Sequence, residues 1–164
     1  MEWSVERLID EVDLLTSRGL PREEFFAELA PRLRRVIHND ATCWHTLDPQ
    51  TGLMTSDTPD ELIERGVFTP HEAPAAGELI VRSEYMVEDV NAFAHLAGRR
   101  VPVGILDHVT RGAPERSARY RDLLLPAGIP HELRAAFVLR GRVWGAGDIA
   151  PQCAARLSRR SRRR

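Results

Sequence analysis

Cys43 and His45 come closest in this sequence to a pair of residues whose types and spacing could do chemistry. They lie two positions apart, so both side chains point to one face of a β-strand. A thiol beside an imidazole can become a nucleophile, and the pair could supply two metal ligands. Zinc takes three or four ligands, however, and the other histidines show no paired spacing. We expect no metal site and no catalytic residue, with Cys43 in the core and His45 hydrogen-bonded.

A second pair, His131-Glu132, could act as an acid–base couple, but a polar entrance to the following strand is the favoured interpretation. Dinucleotide-binding, phosphate-loop, nucleophile-elbow and zinc-protease motifs do not occur. The sequence therefore predicts no enzymatic activity and no cofactor.

Charge is distributed unevenly along the chain. All 23 basic residues are arginines, and six of them fall in the last nine positions. Without these six, 17 basic residues remain against 24 acidic ones, which leaves the rest of the chain with a net charge of −7. Such an acidic body would repel a phosphate backbone, so we expect DNA binding to be absent apart from any contribution of the arginine-rich end.

The apolar segments are short and interrupted by charge, which predicts no membrane span. The acidic, amphipathic start does not resemble a signal peptide. The two cysteines, Cys43 and Cys153, form no disulfide framework. We expect a cytoplasmic protein.

Helical and strand patterns alternate along the chain. The periodicity predicts a helix over residues 5–15, and a second helix, kinked or divided by Pro31, over residues 22–37. Strands are predicted at residues 41–47 and 53–56, and a short helix at residues 60–65. Residues 67–77 are predicted to be a loop, followed by helical pieces with a short strand near Tyr85.

The last predicted element of the second half of the chain is a β-hairpin. Residues 101–106 are predicted to form a strand that Pro102 confines to an edge or a first position, and residues 115–125 a helix. Residues 133–139 alternate between a mainly apolar and a mixed face, Arg140-Gly141 makes the turn, and residues 142–145 return. The order predicts an α+β domain, an antiparallel sheet with helices packed on one face.

Three segments carry a family resemblance. They are the strand Cys43–Leu47 with its Asp-Pro-Gln-Thr-Gly turn, the segment Arg116–Leu124, and the hairpin from Glu132 to Gly145. Together these segments resemble GAF-like sensory domains that precede LuxR-type helix-turn-helix regions in actinobacterial transcriptional regulators. The resemblance covers residues 6–146. It implies a GAF/PAS-like domain over residues 1–147, incomplete at its C-terminal end and truncated before the DNA-binding domain. The arginine-rich tail over residues 148–164 has too few large apolar residues to bury a face, so its composition predicts disorder.

The resemblance also implies a function, that of a non-catalytic regulatory module in signal transduction, which binds a small molecule of unknown identity between sheet and crossover. The implied ligand-binding residues are Trp44, His45, Tyr85, Met86, Asp89, Phe93, Phe137 and Trp144, with Arg82 and Asn91 as further polar anchors. Two alternatives stay open: nucleic-acid binding through the tail, and a small enzyme that uses Cys43 and His45.

The first helix carries one further expectation. Its apolar stripe consists of Val5, Leu8, Ile9, Val12 and Leu15. In the family this stripe would pack against a C-terminal helix. The resemblance, which covers residues 6–146, does not include that helix. We expect it to pair with the same helix of a second chain, forming a homodimer, or to leave an exposed apolar patch.

Overall fold

A computed structural model describes residues 4–151 of the chain. The described residues divide into two compact units, residues 4–39 and residues 40–151. The helices are α1 (Val5–Ser17), α2 (Arg22–Arg34), α3 (Asp60–Glu64), α4 (Ala73–Tyr85), α5 (Phe93–Ala97) and α6 (Leu106–Thr110). The strands are β1 (Asn39–Leu47), β2 (Met54–Thr58), β3 (Val103–Ile105), β4 (Leu133–Leu139) and β5 (Arg142–Pro151). The predicted α+β class is confirmed.

The first unit is a pair of helices. Ser4 caps α1, because its hydroxyl accepts a hydrogen bond from the backbone N–H of Arg7. Ion pairs join the two helices, with Arg18 Nη1 2.7 Å from a Glu28 carboxylate oxygen. Pro31 does not divide α2, which continues to Arg34. No helix in residues 4–151 has the length and apolar character needed to cross a membrane.

The second unit is built on a five-stranded antiparallel sheet with the strand order β2-β1-β5-β4-β3. The short strand β3 lies at an edge of the sheet, as the preceding Pro102 predicts. The β4–β5 turn is confirmed at Arg140 and Gly141, which both have positive φ, at 52° and 74°.

Three segments differ from the sequence-based prediction. The helix α4 begins at Ala73, inside the predicted loop, because Pro74 stands in its first turn, where a missing N–H costs nothing. Tyr85 ends α4 and does not form a strand. Residues 115–125 are not one regular helix but contain a 3₁₀ turn (Pro114–Arg116) and a π-helical turn (Tyr120–Leu124).

The strand β5 is longer than the sequence pattern indicates. It continues to Pro151, so the predicted domain boundary after Gly147 falls inside a paired strand. Asp148 and Ile149 pair with Arg134 and Leu133 of β4, and this pairing carries the strand past the expected break. The predicted disordered tail otherwise lies outside the described residues.

Candidate functional site

A row of charged side chains crosses three neighbouring strands of the sheet. His45 on β1 places its Nε2 2.9 Å from Asp148 Oδ2 on β5. The other oxygen of Asp148 accepts a hydrogen bond of 2.6 Å from Arg134 Nε on β4. Arg134 Nη1 then donates to Glu84 Oε2, at 3.0 Å, on α4. We refer to these four side chains, in the order His45–Asp148–Arg134–Glu84, as the charged ladder.

Arg134 is the centre of the charged ladder and is fully buried, with 0% of its surface exposed. Its Nη1 also donates to the backbone oxygen of Asn91, at 3.0 Å. The guanidinium carbon lies 3.7 Å from the centroid of the Phe93 ring, a cation–π contact. Burial by itself would lower the pKa of Arg134, but the carboxylates around it raise this pKa above its usual value. The side chain is therefore charged, and neutralised by its neighbours.

In His45 and Asp148 as well, burial opposes the charged form and the neighbouring groups favour it. Burial opposes the charged form of His45, but the hydrogen bond to Asp148 and the nearby Cys43 thiol raise its pKa to about 10. Burial likewise raises the pKa of Asp148, and Arg134 and His45 more than offset this, so its pKa lies below its usual value. At neutral pH His45 and Arg134 are therefore positively charged and Asp148, which lies between them, is negatively charged.

A second buried ion cluster joins the π-helical turn to the start of β4. Arg119 Nε and Nη2 donate to the two oxygens of Glu132, at 2.9 and 2.6 Å. Asp89 accepts hydrogen bonds from the backbone N–H of Arg119 and from the Ser117 hydroxyl. The bidentate Arg119–Glu132 contact joins the segment before the π-helical turn to the residue that precedes β4, and Asp89 binds the same segment. Glu132 is thus an ion-pair partner of Arg119, while His131 pairs with Asp107 on the surface.

An open cleft of about 500 Å³ lies between β2 and α4. Its polar wall includes His45 and Asp57, which face each other in the β1–β2 register. Its remaining lining is Met54, Thr55, Ser56, Pro59, Pro70, Ala73, Pro74, Gly77, Ile80 and Val81. The volume falls in the range of small-molecule sites, and the lining combines apolar walls with a few polar groups, as such sites do.

A second, much smaller cavity of about 40 Å³ lies beneath Cys43, among Leu62, Phe68 and Ile80. Charged residues of the ladder and of the second cluster also border it, namely Asp148, Arg119 and Glu132. This volume has room for only a few water molecules.

The structure does not bring the eight predicted ligand-binding residues together. His45 lines the cleft, whereas Asp89 belongs to the Arg119 cluster and Phe93 lies under Arg134. Tyr85 binds the β1–β2 turn and strand β2 through its hydroxyl, which donates to Gly52 O and accepts from Met54 N–H. Met86 and Trp144 are exposed to solvent.

Trp44 and Phe137 stack on each other, with ring centroids 6.1 Å apart and an interplanar angle of 27°. Gly147 makes room for this stack, because a Cβ there would lie 2.7 Å from the Trp44 ring. The structure therefore assigns both aromatic residues to packing between strands.

Four residues of the site are absent from the sequence-based prediction: Glu84, Arg134, Asp148 and Asp57. Arg134 belongs to the mixed face of β4, yet it and Ala136 are the most buried residues of that strand. The sequence does place Arg134 and Ala136 two positions apart, on the same face of the predicted strand, so a buried Ala136 would have indicated a buried Arg134. The partners that neutralise the arginine are distant in sequence and leave no local pattern.

Cys43 is 4% exposed and packs against Ala41 and Leu62. Within the part of the chain that the structure describes, no three His, Cys, Asp or Glu side chains are grouped to hold a metal ion. No family model, no curated protein and no solved structure matches this chain.

Proposed function

We propose that this chain is a non-catalytic, ligand-sensing regulatory module of the GAF-like kind, and that it binds its small molecule in the cleft between β2 and α4. The observation that carries this proposal is the cleft itself, about 500 Å³ in volume. The GAF-like and LuxR-type assignment, and with it a role in transcription regulation, rests on the sequence resemblance. The α+β fold with its antiparallel sheet is compatible with that assignment.

The chemistry of the buried groups supports binding over catalysis. Cys43 is 4% exposed, and His45 Nε2 is occupied by Asp148. A Cys43–His45 enzyme would need both groups to meet a substrate. The ladder meets the cleft through His45, and each of its side chains has a partner on a different element.

Gly77 offers a direct test of the cleft. It lies within α4 on the cleft wall, and a Cβ added there would be in ordinary contact with Asp57 Oδ2, at 3.9 Å. Gly77→Ala should therefore fit, while the larger side chain of Gly77→Leu should project into the cleft and narrow it beside Asp57, and both replacements improve the helix propensity of α4.

The experiment is a thermal-shift screen of a metabolite collection against the wild-type protein, followed by titration of each stabilising compound into both variants. We expect Gly77→Ala to bind like the wild type and Gly77→Leu to lose binding while remaining folded. A collection without any stabilising compound, or undiminished binding by Gly77→Leu, would contradict the proposal.

We also propose that the module forms a homodimer through α1. Val5 and Ile9 are 56% and 55% exposed and lie one helical turn apart, so they present an apolar strip on this helix. Burying such a strip against a second copy is the usual way to remove it from water.

A further inference from the structure

We infer that the cleft between β2 and α4 selects small organic cations, that is, amines with an apolar body whose ammonium group binds Asp57. This inference rests on the proposed function and names the ligand class of the same site.

The first step is the charge balance of the polar wall. His45 is the only member of the charged ladder that lines the cleft, and its positive charge is matched by Asp148 directly behind it. Arg134 and Glu84 form the next matched pair, 3.0 Å apart. The ladder therefore presents no uncompensated charge to a ligand, and the formal charge left at the cleft is that of Asp57.

The second step is the position of Asp57. It stands opposite His45 in the β1–β2 register and reaches across towards Gly77 of α4. Asp57 is exposed to solvent, its carboxylate forms neither an ion pair nor a hydrogen bond with the described residues, and no arginine lines the cleft. A carboxylate in this state can accept charge-assisted hydrogen bonds from an ammonium group without first losing a protein partner.

The third step is the apolar wall. Pro70, Pro74, Ile80 and Val81 line the side of the cleft formed by α4 and the segment before it. This surface suits the hydrocarbon part of a ligand whose polar end lies at Asp57. An anionic ligand would face the Asp57 charge with no arginine to compensate for it, so the same geometry disfavours carboxylates and phosphates.

The test uses three probes of nearly equal size: phenethylamine as the cation, 2-phenylethanol as the neutral analogue and phenylacetate as the anion. Each is titrated at neutral pH into the full chain, with NMR chemical shifts of the Asp57 and Gly77 amides as the readout. The variants are Asp57→Asn, which removes the charge at constant shape, and Asp122→Asn, a matched control at an exposed carboxylate outside the cleft.

We expect phenethylamine to bind the wild type and Asp122→Asn equally, and Asp57→Asn about tenfold more weakly, as for the loss of one charge-assisted contact. The alcohol should bind weakly and respond little to Asp57→Asn, and the anion should bind least.

Equal or tighter binding of the alcohol or the anion, an unchanged dissociation constant in Asp57→Asn, or no binding by any of the three probes would overturn the inference. If the metabolite screen still finds a ligand that Gly77→Leu excludes, the proposed function stands and the cation preference alone fails. If the screen also finds none, both fail.

Discussion

At the scale of single residues, Arg134 is a buried charge whose stability depends on its partners. It is an ionised side chain without solvent contact, and it meets Asp148, Glu84, the Asn91 carbonyl and the Phe93 ring. Removing such a charge from water costs several kcal/mol, which only well-placed partners offset. The arrangement is therefore stable as a set, and each partner depends on the others.

Arg134→Met tests this dependence. The replacement leaves Glu84 and Asp148 as buried carboxylates without their cation, so we expect the free energy of unfolding to fall by about 3–5 kcal/mol in urea denaturation. Arg134→Lys should fall between this variant and the wild type, because an ammonium keeps the charge but not the planar set of donors.

Arg116→Met is the matched control, since Arg116 is exposed and should change stability by no more than about 0.5 kcal/mol. A similar, small effect of the substitutions at both positions would show that the ladder contributes little to stability.

At the scale of elements, β2 and α4 border the cleft, while the β4–β5 hairpin, β1 and α4 supply the charged ladder. The hairpin supplies Arg134 and Asp148, and α4 supplies both the apolar wall of the cleft and Glu84. Glu84 also accepts a hydrogen bond from the backbone N–H of Phe93, at the start of α5. The end of α4 is thereby tied to the sheet and to the following helix.

The helix α1 carries the prediction about assembly. Val5→Asp combined with Ile9→Asp should convert a dimer into a monomer in sedimentation velocity, because two charges would replace the exposed apolar strip. Substitutions at Val5 and Ile9 test the dimer contact more cleanly than substitutions at Leu8 and Val12, because Leu8 and Val12 are half-buried within the chain and their loss would also affect folding. Leu14→Asp, on another face and 67% exposed, serves as the control and should remain dimeric. A monomeric wild type, or an unchanged double variant, would exclude pairing through this face.

At the scale of the whole molecule, stability should depend on pH through the charged ladder. The pKa of His45 is raised from about 6.5 to about 10 in the folded state, so its contribution is fully present below pH 6.5 and is lost as the pH rises towards 10. The pKa of Asp148 is lowered, so its contribution is present above pH 3.8 and is lost as the pH falls through the folded-state value. Stability should therefore be highest between these limits.

His45→Gln isolates the alkaline side of this dependence. Urea denaturation at pH 5.5, 7.5 and 9.5 should show the wild type losing stability with rising pH, at up to about 1.4 kcal/mol per pH unit where the two states differ by one proton. The variant should lose less over the same range. Parallel pH profiles for the two proteins would contradict the ionised His45–Asp148 pair.

The sequence by itself determined the α+β class, the helix α1, the strands β1 and β2 and the β4–β5 turn, and it restricted β3 to an edge or a first position. Each of these follows from a local cause: hydrophobic periodicity, a turn sequence, or a proline without an N–H. Of the residues predicted to bind a ligand, His45 lines the cleft, and Trp44 and Phe137 stack on each other.

Only the tertiary structure decided which face of β4 is buried and where the site lies. The partners of Arg134 are Asp148, 14 positions later, and Glu84, 50 positions earlier. A local pattern records whether a side chain is charged, but whether that charge can be buried depends on which opposite charges the fold brings to it. The cleft has the same origin, because β2 and α4 create it together and neither segment indicates it alone.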